Sequence, residues 1–291
     1  MYERIGANID VHVHPFVMEG WNTLEDTISA MRNNRLQIVA LESYNHSLFP
    51  YVLKELERLY PLHRLVRDSY GVVLPDGEVI LNAREYNTRE DFHILSVGCA
   101  FDDVGEETPI EEIIERGIEK GALVILDHPF VDNFTTKTAG HISDEQEGWL
   151  TELCRKYSGE VALEWNGYSI PWLRLGLRLP LALLGHRTRY HDVNRHAKEL
   201  SGRLAREGYN VPLLADTDLH ARNKGLLREI GAARFITDVQ GESPAEIVSS
   251  IKRNIFEGNY LNIERYPSSA HVLFGYCIPV LFSRYFPKPR A

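Results

Sequence analysis

The stretch from Asn8 to Glu42, "NIDVHVHPFVMEGWNTLEDTISAMRNNRLQIVALE", decides the class of the fold. Its first residues, "NIDVHV", read as a strand, and residues 37–42, "QIVALE", as a second short apolar strand. Between them residues 23–34, "TLEDTISAMRNN", carry helical spacing, with Thr23 as N-cap and Asp26 three residues on. A strand, a helix and a strand in succession make a βαβ unit, so the expected class is α/β. His12 and His14 stand two apart at the end of the first strand, so both imidazoles leave one face and converge.

The alternation continues outward from this unit. "PYVLKELERLY" (50–60) reads as a helix, and "ILNAREY" (80–86) and "FHILSVG" (92–98) as strands. "PIEEIIERGIEKG" (109–121) is a helix with Pro109 at its start and Gly121 at its end. "ALVILD" (122–127), "EVALEW" (160–165) and "VPLLAD" (211–216) are strands, separated by the helices "DEQEGWLTELCRKY" (144–157) and "DVNRHAKELSGRLAREG" (192–208). "RFIT" (234–237), "SPAEIVSSIKRNIFEG" (243–258) and "YLNI" (260–263) close the regular part. About seven units favour closure of a mostly parallel sheet into a barrel. The expectation is one domain over residues 1–267, with an apolar-basic insertion at 168–190 and an aromatic, basic tail at 268–291.

The 291 residues are 44% hydrophobic and 25% charged, a globular composition. A net charge of −9 argues against a large nucleic-acid surface, which needs a basic face. Cys99, Cys154 and Cys277 are too far apart for a CxxC metal site or a disulfide framework. No apolar run is long enough to span a bilayer, and "MYERIGANID" lacks the apolar core of a signal peptide, so the expected location is the cytoplasm.

In a parallel barrel the chemistry sits at the C-terminal ends of the strands. Those ends carry His12 and His14, then Glu42, Glu85, Asp127 with His128, Glu164, and the cluster Asp216, Asp218 and His220 in "ADTDLH". Each alone is compatible with a solvated loop or a cap. Histidines and carboxylates converging on one rim are what a divalent cation requires. His93 stands at the start of its strand, where the strand-end rule alone does not select it.

These clusters resemble the PHP (polymerase and histidinol phosphatase) family of metal-dependent phosphoesterases. The resemblance rests on Asp10-x-His12-x-His14 followed by Glu19-Gly20, on Glu85, on His93 in "FHILSVG", on His128-Pro129, and on Asp218-Leu219-His220. It runs from about residue 8 to residue 240. It implies a distorted (β/α)7 TIM-like barrel holding two or three divalent metal ions, Zn, Mn or Fe. By analogy His12, His14, Glu85 and Asp218 hold one ion. Glu85 bridges to a second, held by His93 and His128. Glu19, His220 and His46 belong to a third. The second motif departs from the family: "VALESYNHS" (39–47) puts Tyr44 where a histidine is usual, with His46 two residues later. The third ligand is then either displaced to His46 or absent.

The resemblance implies hydrolysis of a phosphomonoester or a small nucleotide phosphodiester by a metal-bound hydroxide. The expected partner is a small anionic phosphorylated substrate, nucleotides included. Asp10 is expected to orient a histidine through its other ring nitrogen, with Glu164 and Asp216 in similar roles. His220 or His46 is the expected proton donor. Arg222 and Lys224 in "DLHARNKG" are candidate phosphate ligands; Arg84 is weaker, because strand alternation turns it away from Glu85. Two other readings remain open: an amidohydrolase acting on a C–N or C–O bond, and a degenerate barrel without catalysis. Against the first, no lysine stands at a strand end where a carboxylated bridge would be placed.

Overall fold

The computed structural model describes residues 6–15, 22–43, 47–105, 107–132, 140–171 and 192–274. Glu19, Tyr44 and His46, most of the 168–190 insertion and the tail beyond 274 lie outside the described residues. Strand β1 (Ala7–His14) leads to α1 (Leu24–Asn33), β2 (Ile38–Leu41) and α2 (Phe49–Leu59). The short strands β3 (Val66–Asp68) and β4 (Gly71–Val73), which sequence reading missed, precede β5 (Val79–Asn87), β6 (His93–Val97), α3 (Ile110–Glu119) and β7 (Leu123–Asp127). A small ribbon, β8 (Val131–Asp132) and β9 (Gly140–His141), comes before α4 (Asp144–Lys156), β10 (Val161–Asn166), α5 (Val193–Arg206) and β11 (Leu213–Asp216). The chain continues with β12 (Leu219–His220), α6 (Lys224–Leu227), β13 (Arg234–Thr237), α7 (Pro244–Phe256), β14 (Tyr260–Ile263) and α8 (Ser269–Val272). Helices α1, α4 and α7 start on reciprocal capping boxes, Thr23 with Asp26, Ser143 with Gln146 and Ser243 with Glu246.

Seven strands, in the order β11-β10-β7-β6-β5-β2-β1, curl into a nearly closed barrel in a single domain. The sheet is less parallel than expected. β6 runs antiparallel to both β5 and β7. Residues 88–92 between β5 and β6 are too few for a parallel crossover, which takes about a dozen or more. The chain must therefore turn back, and Thr88 accomplishes this by accepting from the Phe92 amide and donating to the Phe92 carbonyl.

No backbone ladder joins β11 to β1 along their length. At the rim β12 pairs in parallel with the end of β1, setting His14 beside His220. Lower down, β13 runs antiparallel along β1, and β14 along β13. The side chain of Asn262 on β14 bridges the remaining seam. Its Oδ1 accepts from Ala215 N (3.0 Å) and its Nδ2 donates to the Leu213 carbonyl (2.7 Å).

The interior is apolar at the bottom. Ile9 and Val11, Ile38 and Ala40, Leu81 and Ala83, Leu95 and Val97, Leu123 and Ile125, Ala162, and Leu214 form one buried cluster with Phe235 and the inner face of α7. On β1 the alternation slips. The register against β2 shifts between Asp10 and Val13, and Val13 packs with Leu24, Ile28 and Met31 of α1 rather than with Val11. This bulge leaves Asp10 on the face opposite Ile9 and Val11, while His12 and His14 point inward above them.

Replacing Asn262 by Ala should leave the buried Ala215 amide and the Leu213 carbonyl without partners. The expected loss is about 1–3 kcal/mol of unfolding free energy, measured by urea denaturation, with the native circular dichroism retained.

Candidate metal centre

Five barrel strands carry a polar residue two positions past their last interior apolar one. Glu42 follows Ala40, Glu85 follows Ala83, Asp127 follows Ile125, Glu164 follows Ala162, and Asp216 follows Leu214. His93 precedes Leu95 on β6, whose reversed direction puts the strand's start at the same rim: His93 pairs with Asn87 on β5 and with Asp127 on β7. All of these are buried, along with His12, His14, Asp218 and His220.

Glu85 lies between two groups of donors. Its Oε2 is 3.2 Å from His14 Nε2 and 3.7 Å from His12 Nε2. Its Oε1 meets His93 Nδ1 and stands 3.6 Å from His128 Nε2. The first group is completed by Asp218 Oδ1, 3.4 Å from His12 Nε2, and by Glu42 Oε1 at 3.7 Å. The second is completed by Asp127 Oδ2, 3.4 Å from His128 Nε2. The Nε2 atoms of His12 and His14 face each other at 3.1 Å. Two ligands about 2.1 Å from one ion lie about 3.0–3.4 Å apart, so the spacing suits a shared cation. A third set, His14, Asp218 and His220, adjoins the first, with His220 Nδ1 3.1 Å from Asp218 Oδ1.

The far side of His12 is held by Glu164. Its Oε1 is 2.6 Å from His12 Nδ1, and its Oε2 accepts from the His128 amide (2.6 Å) and from Asn166 Nδ2 (3.0 Å). Such a carboxylate fixes the tautomer and turns Nε2 toward the site. Asn166, which sequence reading passed over, also donates to Asp218 Oδ2 (2.7 Å). It stands two residues past Glu164 on β10, so the same strand-end rule would have found it. His128 (φ 26°) and Asp218 (φ 50°) both adopt left-handed backbone, which non-glycine residues rarely enter outside functional sites.

Asp10 does not orient an imidazole. The bulge turns it to the other face, where its carboxylate accepts from Thr217 N (3.0 Å), the Thr217 hydroxyl and Gly231 N (2.9 Å). Burial raises its pKa to about 6 against these donors. Its place is a tie between β1 and the chain after β11.

Seven carboxylates are buried in this region: Asp10, Glu42, Glu85, Asp127, Glu164, Asp216 and Asp218. Among the described residues their ion-pair partners are imidazoles alone. Among the described residues no hydroxyl, amide, lysine or arginine donates to Glu42, Glu85, Asp127 or Asp216. Burial, reinforced by neighbouring carboxylates, holds Glu42, Asp127 and Asp216 well above the usual carboxylate range. Burial and the adjacent His220 push His14 down to about 4, so at neutral pH its imidazole is uncharged and able to ligate. His12 goes the other way: burial lowers it, but the charges of Asp127, Glu42, Asp218 and Glu164 outweigh burial and hold it well above 6.5. The raised carboxyls favour bound protons that a divalent cation would displace, and histidine with carboxylate donors suits such a cation.

Two expected phosphate ligands fall differently. Arg222 is half-buried two residues beyond His220. Lys224 pairs with Asp26 Oδ1 at 2.8 Å, at the N-terminus of α1. Arg84 points out of the barrel toward the Phe101 carbonyl and Asp102, as alternation predicts.

No protein-family model and no curated protein matches the sequence. Solved structures do share its fold. PsfC from Pseudomonas syringae aligns with 96% of this chain and 98% of its own, at 12% identity and a TM-score of 0.54. A two-domain protein containing a predicted PHP-like metal-dependent phosphoesterase, from Bacteroides vulgatus, aligns over 91% of this chain and 69% of its own, at 11% identity and a TM-score of 0.50. The lesion-specific endonuclease PfuEndoQ from Pyrococcus furiosus is more distant in shape, with a TM-score of 0.49 and 14% identity over 93% of this chain and 66% of its own. The chain shares the barrel fold of the first two of these structures.

Replacing Glu164 by Gln should keep the fold and weaken divalent-metal retention by about 10–100-fold, read by chelator competition with the purified protein. Unchanged retention would remove Glu164 from its role behind His12.

Proposed function

We propose that this protein is a metal-dependent phosphoesterase that hydrolyses a phosphomonoester or a small nucleotide phosphodiester. The observation that carries the proposal is the position of Glu85, one oxygen toward His12 and His14 and the other toward His93 and His128. A carboxylate so placed is suited to bridging two cations. His12, His14, Asp218 and Glu42 would hold one with Glu85, and His93, His128 and Asp127 the other. His220 would belong to a third site, whose remaining expected ligands, Glu19 and His46, lie outside the described residues. When bound, such ions supply Lewis acidity to a phosphoryl group and to the attacking water.

The chain's own residues do the rest. Glu164 keeps His12 in one tautomer, and Asn166 ties Glu164 to Asp218. Where no third cation takes it, His220, held beside the Asp218 carboxylate, would deliver a proton to the leaving oxygen. Arg222 would grip the phosphate with its planar fork. A small anion fits better than a nucleic acid, because a chain of net charge −9 repels an extended polyanion. The PHP-like likeness of the Bacteroides vulgatus structure supports the same chemistry. An amidohydrolase with a carboxylated lysine is disfavoured, since no lysine is buried among the described residues.

The test is metal analysis with a phosphatase screen in Mn, Zn or Fe against nucleotides, cyclic nucleotides and sugar phosphates. Wild type should carry two or three ions per chain and release phosphate from one substrate class. His128→Ala should lose about one ion and fall to background activity while melting as wild type. A protein that carries no divalent metal after reconstitution would overturn the proposal.

A further inference from the structure

A second polar cavity, of about 370 Å³, lies outside the acid–imidazole cluster, between the C-terminal end of α1, residues 228–232 and the start of β13. Four arginines line it: Arg35, Arg228, Arg234 and Arg265. None of the four has an acidic ion-pair partner among the described residues, although Asp and Glu outnumber Lys and Arg in the chain by 41 to 32. Other arginines do find acids: Arg32 pairs with Asp76 and Glu78, Arg116 with Asp103, and Arg155 with Glu207. Glu229, the one acid lining the cavity, is 2.5 Å from His271 Nδ1. The negative end of α1 favours a cation there, but one cation satisfies it and four are gathered.

One wall is fixed in place. Arg234 donates from Nε to Asn8 Oδ1 (2.7 Å) and from Nη1 to the Gly231 carbonyl (2.8 Å), and its Nη2 meets no partner among the described residues. Its guanidinium is thus oriented before any ligand arrives. Asn34 Nδ2 donates to the Arg228 carbonyl (3.2 Å), joining the two walls. Arg35 has φ 55°, in the position after the helix cap where glycine is the usual occupant. The turn is a Schellman motif, Arg35 N to Arg32 O and Leu36 N to Met31 O. An arginine in left-handed backbone is unfavourable locally, so its side chain is what the position supplies.

We infer that this cavity is a binding site for a small polyanion bearing two or more phosphate groups. Planar guanidinium forks match phosphate oxygens in pairs, and the volume falls within the range of small-ligand sites. An extended nucleic acid would need a basic stripe rather than one concave pocket. Asn8, which anchors Arg234, is the second residue of the strand that ends at His14, about 20 Å away along β1. Gly231 lines the same cavity and donates to Asp10, two residues before His12. An occupant would therefore bear on the segment that Asp10 ties to the ligand-carrying strand.

The experiment is calorimetric titration of the full chain with tripolyphosphate, with a short single-stranded oligodeoxynucleotide as a second arm. Wild type and Glu85→Gln should both bind tripolyphosphate at this site. Arg228→Glu/Arg265→Glu should bind it about tenfold or more weakly while keeping the wild-type melting temperature. Arg35→Gly, which relieves the backbone, should melt no lower than wild type and also bind more weakly. Equal binding by wild type and the double variant would overturn the site. Loss of binding in Glu85→Gln alone would overturn it too, assigning the anion to the metal centre. Binding of the oligonucleotide but not tripolyphosphate, sensitive to Arg228 and Arg265, would overturn the small-ligand class.

Discussion

Six carboxylates without a lysine or arginine partner among the described residues, buried where a barrel normally buries hydrocarbon, are the constraint on which the rest of this structure depends. Two like charges about 4 Å apart repel by about 4 kcal/mol at an effective dielectric of about 20. Several such pairs at one rim exceed the whole stability of an ordinary domain. Burial drives the Glu42, Asp127 and Asp216 carboxyls well above the usual range, the direction that opposes such crowding, and divalent cations would relieve it more completely. The apolar floor of Ile9, Val11, Leu81, Leu95, Ile125 and Leu214 keeps water from sharing that task from below.

Topology decides which residues take part. A (β/α) repeat delivers only strand ends to its functional rim, and His93 begins a strand. The short turn at residues 88–92 reverses β6, so His93 arrives beside Asp127 and Asn87. The bulge on β1 performs the complementary operation. Without it, Val11 and Val13 would share a face, and the histidines would share theirs with Asp10. With it, Asp10 leaves the cluster and becomes a brace to Thr217 and Gly231. One strand therefore supplies both a ligand pair and the anchor that holds the barrel seam near its rim.

The elements were legible where periodicity and caps agree: "RFIT" and "YLNI" coincide with β13 and β14, and the capping residues of α1 stand where read. The strand-end rule also reached Glu42, Asp127 and Glu164, though it did not say that Glu42 and Asp127 face imidazoles. Three things were out of reach for physical reasons. Strand direction is not written in a strand's own residues; only the length of the 88–92 connection carried it. A bulge leaves no compositional mark in "IDVHV", so nothing in the sequence separates Asp10 from the imidazoles it is expected to orient. Side-chain amides that complete a seam or a network, Asn262 and Asn166, look like any other asparagine until the strand opposite is known.

The strained residues show how tightly the parts are coupled. His128 and Asp218 hold left-handed backbone at two different strand ends, and each contacts the end of β10. The His128 amide donates to Glu164 Oε2, and Asp218 Oδ2 accepts from Asn166. The same Glu164 fixes His12 through its other oxygen. Two side chains, His12 and Asp218, and the backbone of His128 are thus positioned by Glu164 and Asn166, two residues apart on one buried strand. Strain of this kind persists only where the surroundings over-determine it. Here the surroundings are β10, paired in parallel on both edges with β7 and β11, so it cannot shift without shifting the barrel. The separation between the two halves of the cluster is therefore a property of the sheet rather than of flexible side chains, which is what a site that must hold two cations at a set distance requires.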